Sequence, residues 1–300
     1  MKLCIIGVNK NLYAPKRVFQ EAQKRGCEVK STTWHELDFL VRDDDFQIRI
    51  GGKDLKEFDA VFCRNARYVN HGGKEALDKR YLLRILRMYC ESSNVYLFNK
   101  EFQLMNKLQQ AAFFAIHDIP TLDSYYLDEK KDISNFKKKF PMVIKPLEGS
   151  GGRGIFLISN KEEFNNFLKQ NKLPGSHHEI QKYYQIKGDI RVLALEGKIL
   201  GAIKRIPAKD GWITNYSNGG NAINFECGEE IKQLALRVVN KTGLNYAGID
   251  ILMENNKPRV IELNEFAQFE GFEKATGINV AKKIVDAIME KTKEKKNENV

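Results

Sequence analysis

Two strand-like segments near the C-terminal end carry acid where a buried strand should not. They are Ala247-Gly248-Ile249-Asp250-Ile251-Leu252 and Val260-Ile261-Glu262-Leu263-Asn264, both otherwise apolar. Glu262 and Asn264 are two residues apart and so face the same side of their strand. Residues 254–258 between the segments are turn-like, and a turn centred near Asn256 sets Asp250 across from Glu262. Two carboxylates that close repel and raise each other's pKa. A hard divalent cation removes the penalty, and this all-oxygen set suits Mg²⁺ bridged to nucleotide phosphates. The competing reading leaves the acids facing solvent or paired with lysines.

A second feature lies upstream. Met142-Val143-Ile144-Lys145-Pro146 leads into Leu147-Glu148-Gly149-Ser150-Gly151-Gly152-Arg153-Gly154, and a further apolar run follows from Ile155. The backbone N–H groups of such a loop can converge on an anion. It is not a Walker loop, because no Gly-Lys-Ser/Thr follows, and not a Rossmann turn, because a strand follows where that motif requires a helix. A hairpin flap closing over phosphates, with the Lys145 ammonium beside them, fits the pattern; so does a hairpin with no ligand.

In this order, and about a hundred residues apart, the two features resemble the ATP-grasp superfamily. The match tightens through Gln181-Lys182-Tyr183-Tyr184, Asp189-Ile190-Arg191-Val192, Ala202-Ile203-Lys204-Arg205 and Thr214-Asn215-Tyr216-Ser217-Asn218-Gly219-Gly220. With Gly271-Phe272-Glu273-Lys274-Ala275-Thr276-Gly277-Ile278 added, the chain resembles the RimK-type branch of glutamate and other amino-acid ligases. The resemblance is good over residues 106–287 and looser before, where it includes Arg64. It implies that Lys107 and Lys145 contact ATP phosphates and that Gly149, Ser150, Gly151 and Gly152 cover them. Gln181, Lys182, Tyr183 and Tyr184 would read adenine, and Asp189 would accept from the ribose hydroxyls. Asp250, Glu262 and Asn264 would hold two Mg²⁺ ions, with Mn²⁺ a possible substitute. Arg205 and Asn215, with Lys145, would serve the reacting phosphoryl group, and Arg64 and Arg191 the substrate.

The implied reaction is ATP-dependent joining of a carboxylate to an amine through an acyl phosphate. The partners would be an amino-acid donor, plausibly glutamate, and a peptide, protein or small-molecule acceptor. A small-molecule kinase and a non-catalytic nucleotide-binding protein are the alternatives. Two departures stand out. Ile213 occupies a position where the branch usually has arginine, and Glu265-Phe266-Ala267-Gln268-Phe269 replaces the usual small-Pro-Gly turn, which would reshape the loop beside the metals.

The elements that must position these residues can be read from periodicity. Residues 3–8, 28–33 and 59–63 read as strands, with helices over 14–26 and 74–90 and a small hairpin arm at 46–50 closed by Gly51-Gly52. This βαβ alternation predicts an open parallel sheet. After a helix over 101–117 the grammar changes: many short strands and two helices, at 161–170 and 229–242, predict an α+β unit with antiparallel strands. The expected fold is thus α/β and α+β, an N-terminal open parallel-sheet pre-ATP-grasp domain followed by a two-lobed ATP-grasp domain. The expected boundaries are 1–98, 99–180 with the flap, 181–292 with the metal site, and a flexible basic tail at 293–300.

Composition excludes other classes. The 300 residues carry 49 basic and 39 acidic side chains, a net charge of +10 that suits anionic partners. No interleaving of aromatic and basic residues at an RNA-binding spacing is present, so nucleic acid is an unlikely partner. No apolar run approaches a membrane span and the N-terminus reads as a first strand, which predicts a cytoplasmic protein without membrane contact. The five cysteines (Cys4, Cys27, Cys63, Cys90, Cys227) are scattered, as small buried hydrophobes are. A homo-oligomer is expected from the resemblance alone.

Overall fold

The computed structural model describes residues 1–7, 9, 11–64, 79–127, 140–147, 154–170, 178–185, 188–207 and 221–298. The chain divides into two compact units: Met1–Phe102 with Leu244–Tyr246 and Glu265–Val300, and Gln103–Gly243 with Ala247–Asn264.

The first unit opens on β1 (Lys2–Gly7), whose last five residues are all buried, as in a strand covered on both faces. Helix α1 (Tyr13–Lys24) buries Ala14, Val18, Glu21 and Ala22 along one stripe. Strand β2 (Glu28–Thr33) follows. Then β3 (Leu37–Arg42), β4 (Asp45–Ile50) and β5 (Lys53–Asp54) form an antiparallel sheet. Gly51 and Gly52 join β4 to β5 with φ of 54° and 83°, the paired positive values that a two-residue hairpin turn demands. After β6 (Ala60–Cys63) come α2 (Lys79–Ser92) and β7 (Tyr96–Leu97). The order β2-β1-β6-β7 is parallel throughout, the open sheet expected from the βαβ alternation. All five cysteines are buried, and burial pushes the Cys63 thiol up to about 12.

The second unit begins with α3 (Lys107–Ile116), which starts six residues later and ends one residue earlier than the helix expected over 101–117. Asn106 stops it from starting earlier: its Oδ1 accepts from the Gln109 N–H at 2.9 Å while Gln109 Oε1 accepts from the Asn106 N–H at 2.9 Å. This reciprocal cap satisfies two orphan donors and fixes the first turn. Strands β8 (Ser124–Leu127), β9 (Met142–Pro146) and β10 (Phe156–Ile158), helix α4 (Lys161–Gln170) and strand β11 (His178–Lys182) follow, with antiparallel sheet order β10-β9-β11-β8. Strands β12 (Asp189–Leu195), β13 (Lys198–Ile206) and β14 (Asn221–Phe225), helix α5 (Glu229–Thr242) and strands β15 (Tyr246–Glu254) and β16 (Lys257–Asn264) complete it. Their sheet has the order β14-β13-β12-β15-β16.

After β16 the chain rejoins the first unit through α6 (Glu270–Thr276) and α7 (Val280–Asn297). This corrects the expected flexible tail, since residues 293–297 continue α7. Its buried stripe runs from Val280 to Thr292, Lys295 Nζ donates to the Val95 carbonyl at 3.0 Å, and Lys296 pairs with Asp59 at 2.6 Å. Among the described residues no helix is long and apolar enough to cross a membrane.

Glu21, only 3% exposed, gathers the charges between α1 and α7. Arg17 (3.3 Å), Lys24 (3.2 Å) and Arg25 (3.0 Å) pair with it, and Asn279 Nδ2 donates to it at 3.2 Å. Burial alone would raise its carboxyl, but the hydrogen bonds from Asn279, Lys24 and Arg25 prevail and hold it at about 2. A depressed carboxylate stabilises the fold above its unfolded value and loses that contribution as pH falls through the folded one. Glu21→Gln is therefore expected to cost about 2 kcal/mol at neutral pH. Urea unfolding should show the gap to wild type closing as pH falls from 4.5 to about 2.

Candidate active site

In the second unit, cross-strand register assembles a cluster of charge. Asp189 on β12 lies opposite Arg205 on β13. Arg205 Nε and Nη2 each donate at 2.6 Å to the two Asp189 oxygens, a fork-to-fork pair. Gly188 makes the approach possible: its φ is +132°, and a Cβ there would sit 2.3 Å from the Arg205 carbonyl oxygen. Arg191, two residues after Asp189 and on the same face, reaches Asp250 on the neighbouring strand β15. Its Nε and Nη2 each donate at 2.7 Å to the two Asp250 oxygens. Arg205 Nη2 approaches Asp250 as well, at 2.9 Å.

Two aspartates and two arginines thus alternate in one cluster, and Arg205, Asp189 and Asp250 are all buried. Burial would raise the Asp250 carboxyl, but the Arg191 and Arg205 guanidiniums override it and hold it below the ordinary aspartate range. Burial likewise works against the Arg205 charge, and the two aspartates more than compensate. Buried charges persist only when paired and hydrogen-bonded this fully.

The β15–β16 ladder places Asp250 opposite Glu262, and Gly248 opposite Asn264, with an irregularity in register just after Asp250. Asn264 Nδ2 donates to Asp250 Oδ2 at 3.2 Å. Glu262 is half-buried and makes no hydrogen bond or ion pair to a described residue. Asp250, Glu262 and Asn264 are neighbours on this ladder, and their side-chain oxygens are of the type that could hold a hard divalent cation. Among the described residues no group of three or more His, Cys, Asp or Glu is placed to hold a metal ion, so any cation site here would have to be completed by the Asn264 amide and by ligands from outside the protein. On α3, Gln110 Nε2 donates to the Leu263 carbonyl at 3.1 Å, and its Oε1 accepts from the Leu263 N–H at 2.8 Å. This buried amide clamps the backbone between Glu262 and Asn264.

Lys145 on β9 donates to the side-chain oxygen of Gln181 on β11. Lys107 is the first residue of α3, and its Nζ donates to the Leu147 carbonyl at 3.5 Å, just beyond β9. At the end of β11, the Lys182 ammonium lies 4.7 Å from the centre of the Tyr184 ring and 3.2 Å from Glu254, and the Tyr183 N–H donates to the Pro141 carbonyl at 3.2 Å.

Residues 104–288 match the RimK-like ATP-grasp domain, and residues 1–87 match the RimK PreATP-grasp domain. The chain belongs to the RimK-like ATP-grasp family. It is 29% identical over 304 aligned residues to a probable alpha-L-glutamate ligase of Legionella pneumophila (strain Corby), covering 98% of this chain and 97% of the relative. A probable alpha-L-glutamate ligase of Nitrosococcus oceani is 30% identical over 290 residues, covering 96% and 95%. Among solved structures, the ATP-grasp ligase PsnB complexed with minimal precursor, Mg and ADP superimposes with a TM-score of 0.72 at 17% identity, over 97% of this chain and 98% of that one. The macrocyclase MdnC of Microcystis aeruginosa MRC, bound with precursor peptide MdnA, gives 0.71 at 16% identity, over 96% and 99%. These two likenesses concern the fold.

In this RimK-like chain the structure brings Asp189, Arg191, Arg205, Asp250, Glu262 and Asn264 together, and Lys145 with Gln181. Gly149, Ser150, Gly151, Gly152 and Asn215, and the Ile213 departure, lie outside the described residues. Asp189, expected as a ribose acceptor, has both oxygens engaged by Arg205, so its demonstrated contact is positional. Arg64 belongs to the first unit. Its Nη1 donates to the Ala267 carbonyl at 3.1 Å, and burial pushes its guanidinium down to about 10. The 265–269 departure is held within that same unit rather than left as a reshaped free turn. Asn99 Nδ2 donates to the Glu265 carbonyl at 2.7 Å, and the Tyr246 hydroxyl joins Arg64 on the Ala267 carbonyl at 3.1 Å. Phe266 lies against Phe102, and Phe269 against Tyr13.

Sequence reasoning missed Gln110 and Asn99. A polar residue inside a helix that is otherwise apolar was the available signal for Gln110.

Arg205→Met leaves Asp189 and Asp250 buried and short of a partner. We expect it to destabilise the metal-free protein by about 3 kcal/mol in urea unfolding with EDTA present. Added Mg²⁺ should recover part of that loss, because a cation then takes up the Asp250 charge.

Proposed function

We propose that this RimK-like protein is a Mg²⁺- and ATP-dependent carboxylate–amine ligase that adds L-glutamate to a carboxylate acceptor. The observation that carries this reading is the alternating Asp189–Arg205–Asp250–Arg191 cluster beside Glu262 and Asn264. Full-length similarity to proteins named probable alpha-L-glutamate ligases supports the choice of amino acid. The net charge of +10 favours an acidic amino acid and an acidic peptide or protein acceptor.

A carboxylate does not condense with an amine in water, because its oxygen is too poor a leaving group. In the proposed reaction a carboxylate oxygen takes the γ-phosphoryl group, and ADP leaves. The amine then attacks the acyl carbon, phosphate departs with the former carboxylate oxygen, and the amine loses a proton. Lys145 and Lys107 hold the phosphates, with Gly149, Ser150, Gly151 and Gly152 assigned to the same phosphate contacts. The segment from Gln181 to Tyr184 receives the adenine, and Asp189 accepts from the ribose. Asp250, Glu262 and Asn264 hold two Mg²⁺ ions, which supply charge neutralisation at the phosphates. Arg205, with Asn215 assigned the same role, serves the reacting phosphoryl group, while Arg191 binds substrate carboxylate. The protein's work is alignment and charge compensation rather than covalent chemistry.

The test is ADP release by purified protein with Mg-ATP, glutamate and candidate acceptors, followed by mass spectrometry. Glutamate-dependent ADP with a product heavier by a glutamyl residue, absent in Asp250→Asn/Glu262→Gln, is the expected result. A stable phosphorylated product without an amide would replace the ligase reading with a kinase. Nucleotide binding without turnover across the acceptors would point to a binding protein.

A further inference from the structure

Residues on the sheet β10-β9-β11-β8 alternate between two faces. Met142, Ile144 and Ile180 join Ile158, Phe164 and Phe167 of the neighbouring elements in an apolar cluster. The intervening positions form the opposite face, where Val143 and Leu157 sit beside the polar residues Lys145, Glu179, Gln181 and Ser124. Lys145 of β9 stands directly opposite Glu179 of β11, and Gln181 of β11 directly opposite Ser124 of β8.

Glu179 is 2% exposed, and no feature of the site described above uses it. A carboxylate opposite an ammonium on adjacent strands ordinarily closes an ion pair. Here the hydrogen bond of the Lys145 ammonium runs instead to the Gln181 side-chain oxygen. The Gln181 amide nitrogen donates to Glu179 Oε1 at 3.0 Å and to Ser124 Oγ at 2.8 Å. Both acceptors are one-way. An ionised carboxylate can only accept. The Ser124 hydroxyl has spent its proton on the Leu122 carbonyl at 3.2 Å and offers Gln181 only a lone pair. The amide therefore has a single satisfied orientation, with nitrogen toward Glu179 and Ser124 and oxygen toward Lys145.

We propose that Glu179 is a positioning residue: acting through the Gln181 amide, it presets the Lys145 ammonium for nucleotide phosphate without neutralising it. A direct Glu179–Lys145 pair would hold the lysine equally well but would oppose its own charge to that of the phosphate. An amide between them transmits the orientation and keeps the carboxylate one residue away. The inference rests on the reading of Lys145 as a phosphate ligand.

The experiment is titration calorimetry of the full chain with Mg-ADP and Mg-ATP, with thermal melts run alongside. Glu179→Leu is expected to weaken nucleotide binding about tenfold. Glu179→Gln, whose own amide oxygen can accept from Gln181, should stay within about threefold of wild type. Gln181→Met cuts the relay at its middle; it carries the test if Glu179→Leu fails to fold, because its loss too should shrink below about twofold in a Lys145→Met background, which a lost adenine contact would not do. In a Lys145→Met background Glu179→Leu should add less than about a twofold loss, because both act through one contact. Equal losses from Glu179→Leu in the two backgrounds, or unaltered affinity in both folded relay variants, would overturn the inference while leaving the ligase reading intact. A wild-type protein with no nucleotide affinity would overturn both.

Discussion

Two guanidiniums converge on the carboxylate of Asp250, and most of what is ordered around the site exists to let them. Arg191 takes both oxygens at 2.7 Å, and Arg205 shares one at 2.9 Å while giving its own fork to Asp189. An unpaired carboxylate this deeply buried would protonate or unfold the strands around it. Alternation of sign gives every member of the cluster an opposite partner, so the charges survive burial. A divalent cation held there would not enter an empty pair of carboxylates; it would compete with guanidiniums for one of them. With the cation in place the cluster would carry excess positive charge, the electrostatic character a polyphosphate needs.

The pairing imposes strict demands on backbone placement. Gly188 is required because its neighbour strand passes so close that no Cβ fits. The register shift after Asp250 keeps Asp250 opposite Glu262 while the hairpin continues toward its turn. Gln110 reads the Leu263 backbone from α3 and holds β16 at the point where Glu262 and Asn264 flank it. Asn99 performs a similar service in the first unit. Its amide donates to the Tyr246 and Glu265 carbonyls at 3.0 and 2.7 Å and accepts from the Tyr246 N–H at 2.9 Å. One side chain thereby fixes the points where the chain leaves that unit for the β15–β16 hairpin and where it returns.

Lys145 is treated by the opposite rule. Arg205 is locked by direct, bidentate pairs, whereas Lys145 is held by a neutral amide although a carboxylate stands directly across the ladder. Arginine's planar fork suits a fixed role inside a charge cluster, and a lysine's compact ammonium suits a partner that comes and goes. The difference follows from what surrounds each residue, since both are basic side chains on apolar strands.

Local pattern determined a good deal of this protein. The ranges of α4 and α5 follow from apolar spacing, and the β4–β5 turn follows from Gly51-Gly52, because these depend on residues within a turn or two of one another. The Asn106–Gln109 cap was equally local, an Asn-x-x-Gln pattern sufficient to start the helix six residues later than periodicity suggested. The facing of Asp250 and Glu262 was legible from the turn between them. Tertiary structure alone decided which strands flank that hairpin, and so which side chains answer its charge: Arg191 and Arg205 reach Asp250 only because β12 lies beside β15, a neighbour relation between segments more than fifty residues apart. It also decided that α7 stays ordered through Asn297, since acceptors on Val95 and Asp59 hold lysines whose composition alone reads as solvated. Hydrogen-bond partners across such separations are set by how sheets and helices assemble, and no spacing within one segment encodes them.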